Sequence, residues 1–93
     1  MTKRRFSSVW DAIEDTPEEA ENMKLRSALM MALQEHFAQN KLSQSQIAKL
    51  LGVTQPRVSD LMRGKIDIFG LDTLVNMASN AGLQLELRVS EAA

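Results

Sequence analysis

A mainly α-helical domain of about five helices, closed by one carboxyl-terminal β-strand used for dimerisation, is the fold this 93-residue sequence predicts. Three observations carry that expectation. Apolar residues recur at three- and four-residue spacing over most of the chain, as helices packed on one side require. Helix punctuation stands at the edges of those stretches, with proline at Pro17 and Pro56 and glycine at Gly52, Gly64 and Gly82. Only Leu83 to Val89 changes period: Leu83, Leu85, Leu87 and Val89 alternate with Gln84, Glu86 and Arg88, the rhythm of a strand. The organisation expected is an arm with a short helix over 1–15, a helical unit over 16–82, and a dimerisation strand with its tail over 83–93.

Lys3, Arg4 and Arg5 precede the first apolar residue, Phe6, and read as a solvated terminus or, as the second choice, a DNA-contacting arm. Ser8 is placed to cap a short helix from Val9 to Glu14, because Asp11 sits three positions on, as in a capping box. Val9, Trp10 and Ile13 then line one side. Thr16-Pro17-Glu18-Glu19 starts a longer helix, combining a cap, a proline in the first turn and acids that suit the positive helix end. That helix should run to about Asn40, with Leu25, Leu29, Leu33 and Phe37 as its main stripe and Ala28, Met30 and Ala32 alongside. Its methionines read as adaptable packing. His36, the sole histidine, lacks the company a metal site needs and reads as an ordinary side chain.

The stretch from Gln44 to Gly64 is the centre of the chain. Ser43 is a cap, and Ile47, Ala48, Leu50 and Leu51 form an apolar face that Gly52 terminates. Val53 can plug the angle that follows, while Thr54 caps a second helix whose first turn is Gln55-Pro56-Arg57. Proline is tolerated there, since the amide it lacks would have had no helical partner. Val58, Leu61 and Met62 turn inward, leaving Gln55, Arg57, Ser59, Asp60 and Arg63 outside or at the margins. Two short helices joined in this way form a helix-turn-helix. Beyond it, Ile66 to Phe69 should cross the core before a last helix, Leu71 to Ala81, which carries Leu71, Leu74, Val75 and Ala78 inward and ends at Gly82.

Composition narrows the function. One small domain buries about 60 to 65% of its unfolded surface, so dimerisation would add useful stability. Without cysteine there is neither a disulfide framework nor a thiolate metal site, and no apolar run approaches the length of a signal or membrane segment, so the expected compartment is cytoplasmic. The net charge of −1 hides a division: Met1 to Phe6 carries +3, Asp11 to Glu21 carries −6, and Lys41 to Lys65 carries +4 after Asp60 is subtracted. Local charge governs phosphate attraction, because screening limits its reach to about 8 to 10 Å.

Gln44, Ile47, Ala48, Gly52, Gln55, Val58, Leu61 and Gly64 resemble the phage-repressor (Xre/Cro) type of helix-turn-helix regulator. The stretches VWDAIEDTPEEAENMKLRSALM, IDIFGLDTLVNMA and GLQLELRV extend the resemblance to short bacterial regulators that include HigA-type antitoxins. The resemblance implies that Gln44 opens the first helix of the pair and holds a DNA phosphate. It implies equally that Gln55 opens the recognition helix and reads base edges.

The leading expectation is therefore a sequence-specific DNA-binding regulator acting on a palindromic operator. Gln55 would pair with adenine and Arg57 with guanine, and Ser59 would add a base or phosphate contact. Gln44, Thr54 and Arg63, with the helix-start amides, would grip phosphates, and Pro56 and Lys65 belong to the same face. A plainer reading pairs Arg57 with Asp60 three residues on. An antitoxin that represses its own operon and neutralises an RNA-cleaving toxin is the finer expectation, with a solitary regulator as the alternative. The acidic segment Asp11 to Glu21, near Trp10, is the toxin-facing candidate, since such a toxin has reason to carry a basic active site. An enzyme finds little support, for the sequence holds no nucleophile elbow, phosphate-binding glycine loop or metal cluster, and no cofactor is expected. In the dimer, Leu83, Leu85, Glu86, Leu87, Arg88 and Val89 should pair with their copies in an antiparallel ribbon. A register centred on Leu87 sets Glu86 opposite Arg88 and Leu85 opposite Val89.

Overall fold

Local signals set the helix boundaries in the computed structural model, which describes residues 16–91. Helix α1, Pro17–Gln39, begins where the Thr16 hydroxyl accepts the Glu19 amide at 3.2 Å, with Pro17 in the first turn and Glu18 and Glu19 beside the positive helix end. Helix α2, Gln44–Leu51, starts from a reciprocal cap. The Ser43 hydroxyl accepts the Gln46 amide at 3.1 Å, while the Gln46 side chain accepts the Ser43 amide at 2.8 Å. Helix α3, Gln55–Met62, follows the Thr54 cap, a 3-10 turn covers Ile66–Ile68, and helix α4 spans Leu71–Asn80.

The helix exits use one device repeatedly. At Gly52 the backbone takes φ 70°, and the Val53 amide bonds back to the Ala48 carbonyl at 3.0 Å, which turns the chain sharply into α3. The same closure follows α1, where Lys41 takes φ 55° and the Leu42 amide reaches the Phe37 carbonyl. A lysine there adopts a conformation that a side chain disfavours.

Helix α1 packs chiefly on α4, while α2 and α3 pack on each other. One core joins them: Leu33 and Phe37 of α1, Ile47 and Leu51 of α2, Val58 and Leu61 of α3, and Leu74 and Ala78 of α4. Phe69, between the turn and α4, is fully buried in the same cluster, and Val53 packs against it from the helix-turn-helix corner.

Three expectations change. Helix α1 buries Met23, Met30, Leu33 and Phe37, while Leu25, Ala28 and Ala32 lie exposed and Leu29 is half-buried. In α4, Met77 is buried and Val75 is exposed. Most of the residues displaced from the core gather in one place, for Leu25, Ala28, Leu29 and Val75 line a shallow apolar groove together with Leu71 and Leu85, along α1, α4 and the carboxyl-terminal segment.

The third change concerns the strand. The described residues contain four α-helices and one 3-10 turn, and none of them is in a strand. Residues 83–91 carry no regular structure, because a strand exists only through hydrogen bonds to a neighbour and this part of the chain offers none. The short helix expected over Val9 to Glu14, the Lys3-Arg4-Arg5 cluster and Trp10 lie outside the described residues.

Candidate nucleic-acid interface

Helices α2 and α3 each offer an amino-terminal turn whose side chains stay outside the core. Gln44 is the first residue of α2 and is exposed; Gln55 and Pro56 hold the corresponding place on α3 and are exposed as well. Thr54, also exposed, accepts the Arg57 amide through its hydroxyl at 3.4 Å, which leaves the hydroxyl hydrogen available to a further acceptor. The remaining helix-start amides carry the positive end of the helix dipole, a natural match for phosphate oxygens.

Burial of Val58 and Leu61 fixes which way α3 faces. Ser59 is half-buried at the margin, and Arg63, at the helix end, is exposed. Lys65 forms an ion pair with Asp60 at 3.3 Å, with both side chains partly open to solvent. Asp60 thus holds Lys65, and Arg57 does not form the local pair that its spacing from Asp60 suggested.

Arg57 instead folds back on the protein. Its guanidinium lies 4.4 Å from the centre of the Phe69 ring, and one Nη donates to the Ile68 carbonyl at 3.2 Å. The side chain is half-buried as a result. The structure brings Gln55, Pro56 and Thr54 together on one exposed turn, with Arg57 beside them but docked against the 3-10 turn.

Two side chains without a sequence motif hold the far end of α3 and the 3-10 turn that follows it, one each. Gln34 of α1 donates to the Leu61 carbonyl at 2.9 Å. Arg26 of α1 reaches the Ile66 carbonyl through Nη1 at 3.4 Å, while its Nε is buried with no hydrogen-bond partner among the described residues. Arg26 does leave a trace in the sequence, since it falls between Met23 and Met30 on the buried stripe. Gln34 leaves none beyond its place next to Leu33, because its partner is 27 residues away.

Leu83 is half-buried, whereas Leu85, Glu86, Leu87, Arg88 and Val89 are exposed. Leu87 and Val89 are 84% and 82% exposed, an unfavourable state for two large apolar side chains left without a cover. His36 lies beside Phe37 and Asn40. Among the described residues no group of carboxylates and histidine is arranged to hold a metal ion, and no helix is long and apolar enough to cross a membrane.

Comparison with known proteins bears on this geometry. A family model described as a helix-turn-helix domain matches residues 12–90. No curated protein matches the chain. A solved structure named as an XRE family transcriptional regulator is similar with a TM-score of 0.73 and 27% identity, over 80% of this chain and 83% of that one.

Proposed function

Because the chain belongs to the helix-turn-helix domain family and is a DNA-binding transcriptional regulator of the XRE type, we propose that it binds a palindromic operator as a homodimer and acts as the antitoxin of a toxin–antitoxin pair. One observation carries the DNA reading: α3 stands with its amino-terminal turn, Thr54, Gln55 and Pro56, exposed, while its other face is locked into the core. In the major groove Gln55 is the side chain suited to an adenine edge, and Ser59 lies one turn along at the margin. Gln44, Thr54, Arg63 and Lys65 supply phosphate contacts that set orientation without reading sequence.

The carboxyl-terminal segment supports the dimer. Leu85, Leu87 and Val89 leave apolar surface in water next to a groove that already contains Leu25 and Val75, and a second chain pairing in antiparallel fashion would cover both. Two recognition helices would then address half-sites about 34 to 36 Å apart. The antitoxin reading rests on the resemblance to HigA-type regulators and on the acidic run that ends in α1, where Glu18, Glu19 and Glu21 are all exposed. A basic toxin surface is the complement of that charge.

The test is a titration of the chain against DNA from upstream of its own coding sequence, with footprinting to locate the site. The Gln55→Ala variant should lose about 1 to 3 kcal/mol on the operator and lose preference at one base pair. No protected site in that DNA would remove self-repression. Co-purification from the native host would separate the antitoxin from a solitary regulator, which would bring no toxin with it.

A further inference from the structure

We infer that Arg57 is a positioning residue for DNA recognition, which fastens the 65–69 turn to the amino-terminal end of the recognition helix and does not itself read a base. Three observations converge on it. The guanidinium stacks over a ring that is fully buried and so cannot follow it outward, at 4.4 Å from Phe69. The same group donates to the Ile68 carbonyl at 3.2 Å, a charge-assisted bond across 11 residues of sequence. Asp60, the anion that would otherwise compete for Arg57, is held by Lys65 at 3.3 Å.

Arg57 would have to surrender both contacts to reach a guanine, and the Ile68 carbonyl would lose its donor. A guanine contact would have to replace them first, and only the surplus would add to affinity. The docked arrangement has its own use. Lys65 stands at the start of the turn that Arg57 secures, and Gln55 lies two residues before Arg57 on the helix, so one side chain keeps a phosphate-binding group and a base-reading group in fixed relation. Arginine suits this task better than lysine, because its flat fork stacks and donates at once.

This inference rests on the DNA-binding reading, so the experiment has one arm on DNA and one on the free protein. Arg57→Ala, with folding verified by helical circular dichroism, is titrated at several salt concentrations against the operator and a set of single-base-pair variants. The expected result is a loss of about three- to tenfold, with the salt slope unchanged and preference relaxed at no base pair other than the one that Gln55→Ala identifies. In the free protein, amide exchange at Ile68 and Phe69 should quicken while α1 and α4 keep their protection. Lost preference at a base pair that Gln55→Ala leaves untouched would make Arg57 a base reader, and a salt slope shallower by about 0.9 would make it a phosphate contact; either overturns the inference. Unchanged affinity of the folded variant would overturn it too, leaving a role in stability alone. Wild-type chain that binds no operator would instead bring down the DNA reading, a failure visible before any variant is made.

Discussion

Lys41 and Gly52 occupy equivalent places after successive helices, with φ of 55° and 70°, yet only one has the residue suited to it. The left-handed conformation costs a side-chain-bearing residue roughly 1 to 2 kcal/mol, and glycine gives back about 0.4 to 1 kcal/mol through its freer unfolded chain. Lys41→Gly should therefore stabilise the fold by about 0.5 kcal/mol, raising the thermal midpoint by roughly 2 to 4 °C. Gly52→Ala should lower it by a similar or larger amount. A β-carbon at Gly52 meets nothing within 4 Å, so backbone conformation alone would be responsible. Thermal denaturation of both variants followed by circular dichroism measures the pair.

The helices show which signals a sequence displays and which it conceals. Caps act over three residues, so Thr16, Ser43 and Thr54 were legible, and Ser43→Ala should destabilise the domain by about 1 kcal/mol in denaturant titration. Gly52 and Gly82 were equally plain as stops. The face of α1 was not. A stripe that repeats every four residues drifts about 40° per step around a helix of 3.6 residues per turn, so Leu25 ends roughly 120° away from Phe37, whereas Met23 stays within about 40° of it. Spacing alone favoured the leucines; packing chose Met23 and Met30 and left Leu25 beside the carboxyl-terminal segment. The candidate site divides in the same way. Gln44, Thr54 and Gln55 follow from the helix starts, but the docking of Arg57 on Phe69 depends on a turn whose path no local pattern encodes.

For the molecule as a whole, the segment after Gly82 is the part that the proposed dimer would complete. Its alternation predicts a strand, yet alternation records only which side chains share a face; the hydrogen bonds that make a strand require a second segment. The proposed dimer predicts that replacing Leu85 and Leu87 by lysine leaves a monomer in sedimentation and weakens binding to a palindromic operator by more than tenfold, since two linked half-sites reinforce each other. A double variant that stays dimeric with undiminished affinity would place the interface elsewhere. Deleting residues 1–15 probes the proposed toxin contact. The shortened chain should keep operator binding and lose toxin neutralisation, measured as rescue of growth when toxin is co-expressed; full rescue would move the toxin surface away from that segment.

The bonds from Gln34 to Leu61 and from Arg26 to Ile66 give α3 and the turn after it a mechanical character. The first ties down the carboxyl end of α3, its root, and the second the 3-10 turn beyond it, so the eight-residue helix is a lever about 12 Å long, clamped at its root and seated at its middle by Val58 in the core. A tilt of about 5° at the clamp moves the tip by about 1 Å, enough to stretch a hydrogen bond beyond its working range. Stiffness at the root is thus converted into accuracy at the tip. Arg57, bonded to the Ile68 carbonyl of the turn beside that tip, would on the inference above be the strut that keeps the lever from swinging.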